Sequence, residues 1–338
     1  MKAIVIKEPF KVELENIGKP TIGPEDLLVE VKAVGICGSE IAAYEGTHPW
    51  RVPPVISGHE FSGIIVEVGD EVKDFNIGDK ITAYPYISCN TCEYCVQGMD
   101  NLCKKIKIMG TPEWPGALAE YVRVPSMIAY KLPKEITFDK GALIEPLAVG
   151  VHTTARAKIN TAKVIVILGV GAIGLCTLLA IKSINSRIKI IAVDPIESKI
   201  RIAKELGADL VVNPNTQDIA KVLYEIAPYG ADIIIDCAGT QKTIEECINL
   251  IRKNGRIVIT ALFKGKVQLD LRYVMSKEIN ISGSLLYTRR EFENAIILSK
   301  KVISKLDKII THRMSFDYAK EAFELMRKGE AIRVILSP

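Results

Sequence analysis

Residues 164–174 read Val164-Ile165-Val166-Ile167-Leu168-Gly169-Val170-Gly171-Ala172-Ile173-Gly174. The first five are apolar and four of them are β-branched, so they form a strand with no polar face, as the middle of a parallel sheet requires. The glycines that follow have the Gly-x-Gly-x-x-Gly spacing and open a helix at Ala172. There a pyrophosphate can approach the backbone N–H groups at the positive end of the helix dipole. Asp194 lies 20 residues beyond Gly174, at the end of the next apolar run. A carboxylate at that distance accepts hydrogen bonds from an adenosine ribose and repels a 2′-phosphate, which favours NAD over NADP. Residues 164–181 carry no charge, but the glycines divide them into a strand and a helix closed by Lys163 and Lys182. A membrane span is therefore rejected.

Outward from this stretch, β-branched runs at 163–168, 188–193, 210–212, 232–235, 256–260 and 279–283 alternate with helical patterns such as 197–206 and 243–251. The second of these helices is expected to stop at Asn254-Gly255. Such alternation predicts a doubly wound parallel sheet. Before about residue 145 the pattern changes to short β runs (27–34, 63–68, 80–84, 120–124) broken by Gly and Pro, which predicts an antiparallel, barrel-like domain. After Ser284, helices at 291–301 and 318–328 precede a last strand at 332–336. This tail is too short to hold its own core and is expected to pack onto the first domain. The resulting division is 147–284 for the nucleotide domain and 1–146 with 285–338 for the other.

At 338 residues the chain can bury a large core without disulfides. A net charge of +4, from 44 basic and 40 acidic residues spread along the chain, argues against a nucleic-acid or membrane partner. The N-terminus has no apolar export segment, so a cytoplasmic location is expected. In a reducing compartment, cysteines are ligands or nucleophiles before they are disulfides.

Four of the eight cysteines follow the spacing Cys89-x2-Cys92-x2-Cys95-x7-Cys103. Four thiolates surround one zinc tetrahedrally and leave no open position, which marks a structural site within a lobe at 85–108. An Fe–S cluster is the competing occupant. Three further segments are bland singly: Cys37-Gly38-Ser39-Glu40, Gly58-His59-Glu60 and Glu145-Pro146. Together they supply a thiolate, an imidazole and carboxylates, the donor types of an open catalytic zinc.

At these residues the chain resembles the zinc-containing medium-chain dehydrogenases of the alcohol dehydrogenase superfamily. The run 58–63, Val66-Glu67-Val68-Gly69, Gly78-Asp79-Lys80, the four cysteines and the glycine fingerprint occur in that family's order. Residues 145–152 and Thr311-His312-Arg313 resemble its polyol and threonine dehydrogenase branch. The resemblance implies a Rossmann nucleotide domain, a GroES-like β-barrel catalytic domain, and one catalytic and one structural zinc per chain. It implies that Cys37 and His59 bind the catalytic zinc, with Glu60 and Glu145 sharing the remaining positions in an order left open. Gly169, Gly171, Ala172, Ile173 and Gly174 would cradle the pyrophosphate. Asp194 and Lys199 would contact the ribose, Arg333 the pyrophosphate and Thr240 the cofactor. Ser39 matches the hydroxyl that passes on the substrate proton.

The pattern breaks where the family's relay histidine would stand, at Ala42. The proton then leaves through ribose and water, with His48, expected to be exposed, as the alternative base. Tyr44, Trp50, Trp114 and Tyr287 are pocket candidates, although aromatic residues are more often core. Leu286 replaces an arginine common in the polyol branch.

The expected activity is hydride transfer between NAD and the secondary alcohol of a polyol or related small hydroxy compound. L-threonine 3-dehydrogenase is the nearest alternative, and a silent nucleotide-binding relative or a zinc-ribbon nucleic-acid binder are alternatives of another class. A homodimer or homotetramer is expected through the edge strand near residues 279–284.

Overall fold

The computed structural model describes residues 1–338. The chain forms two compact units, residues 146–287 and residues 1–145 with 288–338.

The first unit holds a six-stranded sheet in the spatial order Leu210–Val212, Lys189–Val193, Val164–Leu168, Ala231–Asp236, Ile251–Ile259 and Asn280–Gly283. All its pairings are parallel. The order reverses beside Val164–Leu168, the strand that leads into the glycine loop, and such a switch point is where open α/β sheets bind nucleotides. All five residues of that strand are buried, and the helix that follows it runs from Ala172 to Ile184. No helix of the chain is long and apolar enough to cross a membrane.

One expectation is corrected here. The helix spans Gln241–Leu250 and does not run to Asn254-Gly255. Ile251–Ile259 is already strand, pairing Ala231 with Ile251 and Ile233 with Arg256, so that residues 252–255 bulge out of register. Asn254 adopts φ +55° at the crest, and its N–H donates to the Lys277 carbonyl. The Asn-Gly turn signal is real, but it kinks a strand where a helix stop was expected.

The other unit is built on a seven-stranded sheet in which Asp26–Gly35 pairs with both Glu60–Val68 and Tyr121–Pro125. The sheet is antiparallel except where His312–Ser315 lies parallel to Val334–Ser337. The C-terminal strand Val334–Ser337 in turn pairs with Asp26–Gly35, so the tail completes this sheet. A two-stranded ribbon, Tyr86–Ile87 with Lys107–Ile108, closes the base of the cysteine lobe.

Two glycines in the loop are demanded by packing. Gly169 holds φ +86° with the Ala238 backbone 2.9 Å from where a Cβ would stand, and a Cβ on Gly174 would lie 2.1 Å from the Gly169 carbonyl oxygen. Gly174→Ala is therefore expected to cost about 2–3 kcal/mol through backbone displacement. A lowered melting midpoint would show it, whereas an unchanged midpoint would mean that the loop yields without cost.

Candidate metal centre and nucleotide site

The four lobe cysteines converge as their spacing predicts, with one ligand atom from each lying within 4.8 Å of all the others. Sγ of Cys95 is 3.4 Å from that of Cys92 and 3.9 Å from that of Cys89. Tetrahedral sulfurs at the Zn–S bond length stand about 3.8 Å apart, so the lobe has the size of a single ion. Backbone N–H groups point at the sulfurs: Cys89 donates to Cys103, Cys92 to Cys89 and Lys105 to Cys103. Hydrogen bonds from the backbone and side chain of Thr91 bring the Cys89 thiol down to about 5. Burial and its neighbouring thiols push Cys95 up to about 12. No cysteine of the chain is in a disulfide.

A second cluster forms around His59, at the start of Glu60–Val68. The register pairs Gly35 with Glu60, which places Cys37, two residues beyond the end of its strand, beside the His59-Glu60 step. Gly35 is required there, because a Cβ would lie 2.5 Å from Glu60 Oε2. Glu145 enters from the first turn of the helix Ile144–Ala157. Around the single imidazole lie two groups of donors, Cys37 with Glu40 and Glu60 with Glu145, each group mutually within 4.8 Å of His59. His59 Nδ1 is 2.9 Å from Glu40 Oε1, while Nε2 is 3.9 Å from Glu145 Oε1.

Glu40, bland by itself in the segment Cys37-Gly38-Ser39-Glu40, organises this cluster. Besides the imidazole, its Oε1 accepts from Ser57 Oγ at 2.7 Å and from the Gly58 N–H, and its Oε2 accepts from the Cys37 N–H at 2.9 Å. Its only readable signal is its place three residues after Cys37, the spacing of a capping box at the start of the helix Gly38–Tyr44. Two other residues take part in the cluster. Arg51 puts a buried guanidinium against Glu40 and His59, and the Tyr86 hydroxyl donates to Glu145 Oε1 at 3.4 Å. Neither carries a local sequence pattern.

Burial and countercharge set the protonation of this cluster. Burial alone would raise the Cys37 thiol, but hydrogen bonding to and the charge of His59 bring it down to about 7. Burial works against charge on His59, yet the Glu40 carboxylate outweighs it and raises the imidazole well above its usual value. Glu40 itself is buried, and His59 and Arg51 hold its carboxyl below the usual range. Glu60 goes the other way: burial raises it well above the usual range, the Cys37 and Glu145 charges add to that, and the facing Arg333 only partly offsets it. Both Glu60 carboxyl oxygens are buried without a hydrogen bond, and Arg333 Nη1 stands 3.1 Å from Oε1 as an ion partner. Thiolate, imidazole and carboxylate donors with unsatisfied buried oxygens fit a divalent zinc-type cation.

Other expected residues are placed as follows. The Ser39 hydroxyl is buried without a hydrogen-bond partner. His48 is half-buried, which corrects the expectation of exposure. Its Nδ1 accepts from the N–H groups of Trp50 and Arg51, and burial next to Arg51 lowers it to about 4. Tyr44 is core, T-stacked on Phe323 with its hydroxyl on Glu324, whereas Trp50 is exposed and Trp114 and Tyr287 are buried. Arg333 is buried, donating to the Ile36 carbonyl as well as facing Glu60.

In the nucleotide unit, space is open where a Gly171 side chain would stand, at the N-cap of a 13-residue helix. Asp194 Oδ2 accepts from the Val170 N–H and Oδ1 from the Ile196 N–H, which ties the acidic turn to the glycine loop. Lys199 lies in the first turn of Glu197–Leu206 and is half-buried. Thr240 is the N-cap of Gln241–Leu250, with its hydroxyl accepting from the Thr243 N–H.

A family model described as the alcohol dehydrogenase GroES-like domain matches residues 23–134, and one described as zinc-binding dehydrogenase matches residues 172–301. The L-idonate 5-dehydrogenase of Vitis vinifera is 34% identical over 330 residues, 94% of this chain and 89% of that protein. A sorbitol dehydrogenase of Halalkalibacterium halodurans is 34% identical, covering 95% of this chain and 94% of its own. Among solved structures, a zinc-binding dehydrogenase of Sinorhizobium meliloti bound to NADP superposes with a TM-score of 0.91 at 31% identity. That superposition covers 100% of this chain and 99% of the other.

The raised His59 and Glu60 have a directional consequence. In the metal-free cluster both groups hold their protons to higher pH than usual, and with Cys37 at about 7 part of its population is still thiol near neutral pH. A cation must displace those protons, so its binding releases protons and strengthens as pH rises. Zinc titrations in buffers of different ionisation enthalpy, with His59→Ala as the reference for the lobe, should show more than one proton released at this cluster. An affinity independent of pH would contradict the assignment.

Proposed function

The chain belongs to the zinc-binding dehydrogenases that carry an alcohol dehydrogenase GroES-like domain, and on that footing we propose that it transfers hydride between NAD and the secondary alcohol group of a polyol or related hydroxy compound. The observation that carries this reading is the buried donor cluster around His59, with its unsatisfied Glu60 oxygens. Cys37 and His59 would hold the catalytic zinc with Glu60 and Glu145, the latter 3.9 Å from Nε2 of the imidazole, and the four lobe cysteines would hold a structural zinc. In the first cluster zinc supplies the Lewis acidity that loosens a hydroxyl proton, and bound NAD supplies the hydride acceptor.

The chain's own residues do the rest. Glu40 takes the Nδ1 proton of His59 in a hydrogen bond and so fixes the tautomer that offers Nε2. The Ser39 hydroxyl, buried and without a partner, is the group poised to receive the substrate proton and pass it to water. Ala42 has no proton to relay, and His48, lowered to about 4, is a weak base whose Nδ1 already accepts two backbone N–H groups and whose Nε2 faces the Arg51 guanidinium, so the relay does not run through either. The glycine loop takes the pyrophosphate at the helix N-terminus. Asp194, already oriented by two backbone N–H groups, keeps lone pairs for the ribose hydroxyls and repels a 2′-phosphate.

The relatives are named for idonate and sorbitol, which favours polyhydroxylated substrates over threonine. A cytoplasmic location and a homodimer or homotetramer complete the proposal. Leu271, Met275, Ile281 and Leu285 are exposed on and around the edge strand Asn280–Gly283, as pairing of two such edges requires.

Metal analysis should find two zincs per chain, and NAD reduction should follow addition of sorbitol, xylitol or butanediol and fail with threonine. Absence of turnover on every secondary alcohol at full zinc occupancy would overturn the reading. Asp194→Ala is expected to weaken NAD binding about tenfold or more and to relax the preference over NADP. An unaltered NAD/NADP ratio would remove Asp194 from the ribose site.

A further inference from the structure

Arg51 takes no part in the reaction proposed above, yet its guanidinium is 4% exposed and lies within the His59 cluster. Burying a cation costs several kcal/mol unless its partners are well placed. Those partners are specific. Nη2 donates to the Met109 carbonyl at 3.1 Å and lies 3.3 Å from His59 Nδ1, Nε lies 3.5 Å from Glu40 Oε1, and Nη1 faces His48 Nε2 at 3.3 Å. His59 Nδ1 already donates to Glu40, and Arg51 Nε faces the same carboxylate oxygen as an ion partner without a hydrogen bond of its own. Met109 is itself fixed, its N–H donating to the Pro85 carbonyl just before the strand that leads into the cysteine lobe.

Charge gives the arrangement a purpose. Once a metal displaces the protons of the cluster, the Cys37 thiolate with Glu40, Glu60 and Glu145 would supply four anions, and Arg51 and Arg333 are the guanidinia buried among them. A divalent cation on the Nε2 side brings the interior to neutrality. Arg51 stands on the Nδ1 side, where it shares Glu40 with the imidazole and keeps that carboxylate from swinging toward the cation. We propose that Arg51 is a positioning residue for the metal centre, a cation anchored on the Met109 carbonyl that holds the Glu40 carboxylate by charge on the Nδ1 side and thereby keeps Nε2 of His59 turned toward the ion. This rests on the reading of His59 as a metal ligand.

The test replaces zinc with cobalt(II). It reads the visible absorption spectrum and the rate of metal removal by a chelator, well below the melting temperature of each variant, with His59→Ala supplying the lobe signal for subtraction. Arg51→Met is expected to alter the cobalt bands of the second site and to speed metal loss there about tenfold or more. Arg51→Lys keeps the charge without the planar fork and should restore only part of that loss. Because Arg51 acts through Glu40, the double variant Glu40→Gln/Arg51→Met should release metal no faster than Glu40→Gln alone. Wild-type spectra and release rates in Arg51→Met and Arg51→Lys would overturn the proposal, even with lowered melting temperatures, since a purely structural role moves only the latter. If Arg51→Met does not fold, Arg51→Lys decides by the same two readouts. A wild-type protein that takes up cobalt only in the four-cysteine lobe would instead overturn the metal-centre reading itself.

Discussion

The contact on which the His59 cluster depends is the one between His59 Nδ1 and Glu40 Oε1. An imidazole is useful to a metal only if one nitrogen is a bare lone pair, and the tautomer is decided by what the other nitrogen meets. Here that other partner is a carboxylate sealed from water and met by N–H and O–H donors from Cys37, Gly58 and Ser57, so it cannot turn away. The fold brings the pair together cheaply. Glu40 sits in the first turn of a helix that begins immediately after Cys37, and His59 ends the loop that enters the neighbouring strand. The rung between Gly35 and Glu60 draws the two segments together.

The electrostatics of the cluster follow from its burial. Three carboxylates and a thiol share an interior with two guanidinia, and without a cation the cheapest solution is to keep protons. Glu60 and His59 do this, while Glu40, facing two cationic groups, stays ionised. The carboxylates thus divide by environment. Glu40, rich in donors, orients its neighbour, and Glu60, without a hydrogen bond and facing Arg333, holds back coordinating capacity. The structural consequence is that an incoming metal completes a charge pattern the fold already contains.

What could be read in the sequence tracks how local each feature is. The glycine fingerprint with Asp194 and the cysteine lobe are each contained within about two dozen residues, and the helix begins at Ala172, Asp194 bonds back to the loop and the four sulfurs converge. The parallel sheet was legible because β-branched runs buried on both faces leave no polar alternation to misread. Asn254-Gly255 misled because the same dipeptide that stops a helix also serves a bulged strand, and strand pairing with Ala231–Asp236 decided between them. Cys37, His59, Glu60 and Glu145 stood out through resemblance and as a set of donor types. Arg51 and Tyr86 could not, because a buried arginine in a proline-rich loop and a tyrosine in a two-residue strand match no spacing rule, and their partners lie in other segments. His48 was judged by its loop composition, and its burial came from backbone N–H groups that only the folded turn points inward.

Under the proposed function, the contrast between the two clusters explains why chemistry would fall to one of them. Four sulfurs within 4.8 Å of one another fill every position of a tetrahedral ion, and backbone N–H groups lock those sulfurs from outside. Nothing there can exchange a ligand for substrate, so the lobe can only hold structure. Around His59 the donors are mixed, and two of them are carboxylates whose hold on a cation depends on competing partners, Arg333 for Glu60 and Tyr86 for Glu145. A carboxylate with a competing partner can approach or withdraw at small cost, which is what a site needs if a hydroxyl is to enter and leave its coordination shell. That freedom is tolerable only if the remaining ligands do not move, and the Glu40 clamp on His59 removes the motion from the imidazole.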